Sequence, residues 1–205
     1  MQLHVLCLGP LFTNCCIIGN DDGQAYIVDP ANDAERIIDV IDTAGLTPCA
    51  VLLTHAHFDH IAALPAIASR YNLPVWLDPD DLPVYESPMN CFPPEIPAVE
   101  HLPDTVSELD MAIDGLDYEV LRTPGHSPGS VGFYFPGHNI LIGGDTLFQS
   151  SIGRCDLPLG DGELLLHSIR TVLYKLPPET IVHPGHGPAT TIGQEMQTNP
   201  FVRAE

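Results

Sequence analysis

Residues 47–64 read TPCAVLLTHAHFDHIAAL, an apolar run followed at once by imidazole and carboxylate side chains. The segment AVLLT has the composition of a buried β-strand. His55 and His57 follow it, and alternate residues of an extended chain point to the same side, so both imidazoles can meet one metal ion. Asp59 and His60 come next and can serve a second ion close by. The stretch predicts a metal site in the loop after a buried strand, where ligands often bind in α/β folds.

The ligand types indicate what kind of site this is. Structural zinc sites commonly use cysteine and close their tetrahedron, whereas imidazole and carboxylate ligands are typical of an open site that leaves room for water. Such sites accept zinc, iron or manganese, so the residue types leave the metal open. The alternative is a set of ordinary surface histidines ahead of a helix, with Asp59 or His60 as the helix cap.

Two ions need more ligands than one loop supplies, and three later segments offer them. His126 lies in RTPGHSPGS after the strand-like run YEVLRT, and Asp145 follows the apolar run ILIGG. The segment TIVHPGHGPA adds His183 and His186. Each candidate follows a strand-like run, so we expect one rim of the fold to gather them.

The rest of the chain predicts a layered α/β fold in a single domain, residues 1–205. Hairpin-like strand pairs mixed with isolated helices favour sheet packed on sheet with helices outside. Helical patterns lie at 33–45, 64–72 and 162–178, the first ending at Gly45. Strand-like runs are LHVLCL, CCIIG, AYIVD, CAVLLT, PVWL, DYEVLRT, VGFYF, NILIGG and TIVHP. Residues 79–105 are rich in proline and irregular. Without a glycine-rich phosphate-binding loop, nucleotide-binding folds have little support.

Composition excludes several partners. The chain carries 27 acidic and 7 basic residues, a net charge of −20. Such a surface repels nucleic acid and anionic lipids. No apolar run reaches the roughly 18 residues of a membrane-spanning helix, and no basic segment precedes the short apolar run at the N-terminus. We expect a cytoplasmic protein without a signal peptide, and six reduced cysteines, since none form a C-x-x-C pair.

Four motifs in order resemble those of a known family. They are T-H-x-H-x-D-H at 54–60, P-G-H-S-P-G-S at 124–130, G-D-T-L-F at 144–148 and P-G-H-G at 184–187. The chain resembles the metallo-β-lactamase superfamily and, within it, the glyoxalase II-like (hydroxyacylglutathione hydrolase-like) enzymes. The resemblance implies an α/β four-layer αββα sandwich with a dinuclear metal site at one edge.

The resemblance also implies a role for each ligand. Two divalent metal ions per chain are expected, with zinc as the first choice and iron or manganese as alternatives. The motif selects His186 over His183, and it makes Asp59 and Asp145 the carboxylates that take part in catalysis. The first ion is assigned to His55, His57 and His126, the second to Asp59, His60 and His186, and Asp145 bridges them.

The implied reaction is hydrolysis of a thioester, such as an S-lactoylglutathione-like acyl-thiol, by attack of a metal-bound hydroxide. Two ions can share one hydroxide, and a thiolate leaves without a general acid. Arg154 is predicted to contact a substrate carboxylate or to order its loop. Full-length glyoxalase II enzymes carry a C-terminal helical region that helps bind glutathione. Here only residues 187–205 follow His186, so we expect that region to be missing.

Other functions remain open. An iron-dependent persulfide dioxygenase of the same superfamily is the main alternative. A β-lactamase is less favoured, because Asp145 stands where those enzymes commonly use other ligands, and the acidic composition disfavours a ribonuclease. A non-catalytic metal-binding protein is a weaker alternative. The expected partner is a small-molecule thioester, and the sequence leaves the oligomeric state undetermined.

Overall fold

The computed structural model describes residues 1–108 and 112–203. The chain divides into two compact units, Met1–Asp117 and Tyr118–Glu205. The expectation of one domain over residues 1–205 stays a prediction, and each unit is described in turn.

The first unit is built on a six-stranded sheet whose order follows the sequence. Strands β1 to β3 pair antiparallel, and β3 to β6 pair parallel. The parallel part matters for function, because parallel strands end at the same edge of a sheet. The strands are β1 Gln2–Leu8, β2 Thr13–Gly19, β3 Gln24–Val28, β4 Thr47–Leu52, β5 Val75–Trp76 and β6 Thr105–Val106.

Four helices accompany this sheet: α1 Ala34–Ala44, α2 Phe58–Ile61, α3 Leu64–Tyr71 and α4 Leu82–Tyr85, with a 3-10 turn at Pro79–Asp81. Ile37 and Ile41 lie one turn apart on α1 and are fully buried with the sheet side chains. Gly45 ends α1 in the left-handed conformation, with φ 67°, which glycine adopts without a steric penalty. Pro65 falls in the first turn of α3, where its missing N–H costs nothing.

The second unit contains a five-stranded sheet in the order β13-β12-β9-β8-β7 and a two-stranded ribbon, β10 with β11. Strands β9 and β12 pair parallel; the other neighbours pair antiparallel. The strands are β7 Glu119–Arg122, β8 Val131–Phe135, β9 Ile140–Gly144, β10 Leu147–Phe148, β11 Ser151–Ile152, β12 Ile181–Pro184 and β13 Thr190–Thr191. The helices are α5 Gly162–Thr171 and α6 Ile192–Thr198, with 3-10 turns at Pro136–His138 and Leu173–Lys175.

The core of this unit forms where α5 packs its apolar face with the sheet. Leu165 and Ile169 are fully buried together with Leu141 and Val182. Asp161 caps α5 by accepting a hydrogen bond from the backbone N–H of Leu164 at 3.0 Å. The apolar periodicity of the helix thus fixes the face that it presents to the sheet.

All nine predicted strands and all three predicted helices are present, with shifts at their ends. The helix predicted at 162–178 is shorter: α5 ends at Thr171 and a 3-10 turn replaces its last part. The irregular region at 79–105 contains the short helix α4 and a bridge between Phe92 and Ile96. All six cysteines are free. Among the described residues, no helix is long and apolar enough to cross a membrane.

Candidate metal centre

The His-rich loop of the first unit is buried rather than solvated. It leaves the carboxyl end of β4 and runs into α2, and its imidazole and carboxylate side chains are largely inaccessible: His55 is 1% exposed, His57 7%, Asp59 7% and His60 0%. The alternative of ordinary surface histidines is therefore wrong. His57, and neither Asp59 nor His60, occupies the N-cap position of α2, and its side chain makes no capping hydrogen bond. Burial of so many ionisable groups needs a compensating interaction.

Asp29 organises two of these imidazoles. It follows β3, which lies beside β4, and its carboxylate accepts hydrogen bonds from Thr54 N at 2.7 Å and Thr54 Oγ1 at 2.6 Å. Its Oδ2 also lies 2.9 Å from Nδ1 of His60. An ionised carboxylate only accepts, so His60 carries its proton on Nδ1 and leaves the Nε2 lone pair for a metal.

His55 is oriented through the same chain of hydrogen bonds. Its Nδ1 lies 3.1 Å from Thr54 Oγ1, whose single proton is donated to Asp29. The hydroxyl therefore accepts from Nδ1 of His55, and Nε2 of His55 is again the basic nitrogen. The ring centroids of His55 and His60 are 4.1 Å apart, and those of His55 and His57 are 4.8 Å apart. The loop thus gathers imidazoles whose ligand nitrogens are selected by the protein.

Asp29, His55 and His60 also form a potential three-ligand group by proximity alone. Both carboxylate oxygens of Asp29 already accept hydrogen bonds from Thr54, and one accepts a further bond from His60. We therefore assign Asp29 to orienting the imidazoles rather than to binding an ion.

Three residues outside the loop fix its remainder. Thr13, at the start of β2, donates a hydrogen bond from Oγ1 to Asp59 Oδ2 at 2.8 Å. Asn90 accepts from the backbone N–H of Phe58 at 2.9 Å and donates to the carbonyl of Ala56 at 2.7 Å. Asp81 accepts from Ala56 N at 2.6 Å. The irregular segment after β5, through Asp81 and Asn90, therefore holds the backbone of the His-rich loop in place.

In the second unit, His126 is held in the turn after β7 and is 2% exposed. Its Nδ1 lies 2.7 Å from the carbonyl oxygen of Arg154, which can only accept. Nδ1 therefore carries the proton, and Nε2 is available as a ligand. Glycine is required on both sides of this contact: a Cβ at Gly125 would collide with the backbone of Leu165, and one at Gly153 with the carbonyl oxygen of Asp145.

Asp145 and His186 are brought together by the parallel pairing of β9 with β12. Pro184 pairs with Gly144, so the residues that follow the two strands leave the sheet at the same edge. Asp145 Oδ2 lies 3.4 Å from Nε2 of His186 and 3.6 Å from Nε2 of His126. One carboxylate oxygen thus faces two imidazole nitrogens, an arrangement that suits a carboxylate shared between metal ions held by the two imidazoles.

Arg154 is placed differently from a buried anion-binding residue. Its side chain is 61% exposed and forms a bidentate pair with Asp156, with Nε and one terminal nitrogen 2.7 and 2.9 Å from the two carboxylate oxygens. The pairing holds the pKa of Asp156 at about 2, below its usual range. Its contact with a substrate stays a prediction. His183 lies within β12, where burial lowers its pKa.

Five groups that hold the candidate ligands were not predicted from the sequence: Asp29, Thr13, Asn90, Asp81 and the carbonyl of Arg154. A signal for Asp29 was present, because it is the last residue of the strand-like run AYIVD and directly follows β3, just as His55 follows AVLLT. The carbonyl of Arg154 has no sequence signal, since every residue type supplies a backbone oxygen.

The sequence-family model that describes the metallo-β-lactamase superfamily matches residues 8–186. The chain belongs to the metallo-β-lactamase superfamily. It is 36% identical to the hydroxyacylglutathione hydrolase GloC of Haemophilus influenzae, over the whole of both chains. A crystal structure of TTHA1623 in a di-iron-bound form is 43% identical, with a TM-score of 0.86, covering 97% of this chain and 100% of that one. The BLEG-1 B3 metallo-β-lactamase is 42% identical, with a TM-score of 0.83, covering 98% and 99%.

These comparisons confirm the predicted α/β metallo-β-lactamase fold and the resemblance to the hydroxyacylglutathione hydrolase-like members. Membership of this superfamily and the similarity to GloC support a metal-dependent hydrolase. The donor set fits that membership, because His55, His60 and His126 each have Nδ1 committed to a protein acceptor and Nε2 left as the ligand atom.

Proposed function

We propose that the protein hydrolyses thioesters of small acyl-thiols, including S-lactoylglutathione-like substrates, with a pair of divalent ions. In this proposal one ion binds His55, His57 and His126, the other binds Asp59, His60 and His186, and Asp145 bridges them. The observation that carries it is the control of imidazole tautomers in both units, which prepares Nε2 atoms for metal. The identity with hydroxyacylglutathione hydrolase GloC over the whole chain supports the thioester class.

The chain's own residues supply positioning. When bound, two divalent ions would lower the pKa of coordinated water towards neutrality and would polarise a carbonyl. Asp145 and Asp59 provide the carboxylates, Asp59 being held by Thr13, and the buried hydrogen bonds of Asp29 and Arg154 stop the imidazoles from rotating. A thiol has a pKa of about 8.5, so a thiolate leaves at neutral pH without a proton donor.

Zinc is the proposed metal, with iron and manganese as alternatives, since imidazole and carboxylate ligands accept all three. The di-iron-bound form of TTHA1623 favours keeping iron in the test. We propose a cytoplasmic protein that acts on small molecules rather than on nucleic acid or membranes, in keeping with its net charge of −20.

The test is metal analysis of the purified protein beside a substrate panel. The panel contains S-lactoylglutathione, an acyl-thiol without glutathione, glutathione persulfide with measurement of oxygen uptake, and a chromogenic cephalosporin. We expect two ions per chain and the highest kcat/KM on a thioester. Oxygen uptake with one bound iron would instead establish a persulfide dioxygenase. A preference for the cephalosporin would establish a β-lactamase, an activity included because of the similarity to BLEG-1.

Arg154→Ala tests whether this guanidinium contacts substrate. The exposed side chain already pairs with Asp156, so we expect a modest rise in KM, about two- to fivefold, for a thioester that carries a carboxylate. The value of kcat should hold, because the backbone carbonyl that orients His126 is retained. A thioester without a carboxylate is the control substrate and should show no change. An unchanged KM for the anionic thioester would exclude the contact.

A further inference from the structure

A cavity of about 550 Å³ lies in the second unit along α5 and has no part in the metal centre. Its walls come from α5, from the 3-10 turn that follows, and from α6. The residues that bear on its chemistry are Glu163, His167, Arg170, Tyr174, Lys175 and Met196.

Helical spacing places these side chains on one face. Positions 163, 167, 170 and 174 recur every three or four residues, so they share a stripe along α5 and its extension. Leu165 and Ile169 lie on the other face and are buried in the core. The stripe is therefore not needed to hold the helix against the sheet.

The lining of the cavity is rich in basic side chains although the chain as a whole is acidic. Two of the seven basic residues, Arg170 and Lys175, line it, against the single carboxylate of Glu163. In the part of the chain that the structure describes, neither cation forms an ion pair with a carboxylate. Because the chain has 27 acidic residues, two cations that lack a carboxylate partner within residues 1–108 and 112–203 are unusual.

Arg170 is also partly withdrawn from water. Its Nε–H is buried and donates to no acceptor among the described residues, and a desolvated charged donor without an acceptor costs free energy. The side chain of Tyr174 is buried and lines the cavity, and its hydroxyl donates a hydrogen bond to the carbonyl oxygen of Val202 at 2.7 Å.

We propose that this cavity binds a small anion bearing a phosphate or carboxylate group, held by Arg170 and Lys175. The planar guanidinium offers parallel N–H donors that match two oxygens of such a group, and the ammonium of Lys175 adds a second charge. The ligand would supply the counter-ion that the described residues do not provide. The site goes beyond the proposed hydrolysis, because none of its residues belongs to the metal centre.

The experiment is isothermal titration calorimetry of the metal-loaded protein with inorganic phosphate, and separately with acetate, at about 0.15 M salt. There the Debye length is about 8 Å, so the distant acidic surface is screened. Phosphate can also bind to the metal ions, so substitutions in the cavity are needed to assign a binding event to Arg170 and Lys175. Arg170→Gln should weaken one binding event about tenfold or more, the size of a charge-assisted hydrogen bond. Lys175→Gln should weaken the same event.

Arg70→Gln is the matched control, because it removes the same charge from an exposed position beside Asp42 in the first unit. It should leave both isotherms unchanged. Equal isotherms for the parent protein and Arg170→Gln, or an equal loss in Arg70→Gln, would overturn the site. Thioester turnover without added anion should be the same in all variants, so failure here is distinguishable from failure of the proposed hydrolase.

Discussion

Replacing Asp145 with alanine is expected to lower kcat/KM on the best thioester by more than about 100-fold and to reduce the bound metal below two ions per chain. The carboxylate lies between Nε2 of His126 and Nε2 of His186, at 3.6 and 3.4 Å. Loss of residues that merely orient metal ligands typically costs 10- to 100-fold, and a ligand shared by two ions should cost more. Metal analysis and steady-state kinetics on the same samples measure both effects.

Asp145→Asn separates ligation from packing. Asparagine keeps the size and one oxygen but loses the negative charge, so we expect metal binding between that of the parent and that of the alanine variant. Glu179→Ala removes an exposed carboxylate from the same unit and should change neither quantity. An alanine variant that kept two ions and full turnover would show that Asp145 does not bridge them.

The candidate ligands can be picked out from the sequence because their signal is local. Alternation along an extended chain places His55 and His57 on one side, and the apolar run before them indicates the buried strand that they follow. Asp145 and His186 were likewise marked by strands that precede them. What these residues meet across the fold depends on the parallel pairing of β9 with β12, for which a single sequence carries no local signal.

The features that the sequence did not predict are either too short to show a periodic pattern or depend on contacts between distant parts of the chain. Strands β6, β10, β11 and β13 have two residues each, too few for a period of two to be visible. The break between α5 and its 3-10 turn falls inside an uninterrupted helical pattern. Asn90 and Asp81 lie in the proline-rich segment, and their hydrogen bonds to the His loop arise only from the folded chain. Polar groups that orient the candidate ligands are therefore harder to predict than the candidate ligands themselves.

Asp29 shows what such an orienting residue controls, and Asp29→Asn is the second variant with a large expected effect. The carboxylate is 2% exposed and accepts hydrogen bonds from Thr54 and from Nδ1 of His60. In the asparagine variant, Oδ1 can still accept from Thr54 N, but an NH₂ group then faces Nδ1 of His60. That nitrogen must accept, so the ring proton moves to Nε2, the atom proposed to bind metal.

We therefore expect Asp29→Asn to weaken binding of the ion assigned to His60 by about 10- to 100-fold, the usual cost of losing a ligand's hydrogen-bond partner. Thr54 Oγ1 loses the same acceptor, so the tautomer of His55 and the ion assigned to it should be affected as well. The fold should survive, because asparagine is nearly the same size and tolerates the left-handed backbone at this position, φ 50°. Competition titration with a chromogenic chelator measures the affinity, and turnover should recover in excess metal.

Asp33→Asn is the matched control for Asp29→Asn. Asp33 has the same φ of 50° but is exposed and contacts no imidazole in the described structure; its Oδ2 accepts from Gly9 N at 3.2 Å. It should leave metal affinity unchanged. If Asp29→Asn bound both ions within twofold of the parent, the tautomer of His60 would not depend on this carboxylate. If both variants lost metal equally, the cause would be the backbone conformation rather than the hydrogen bond.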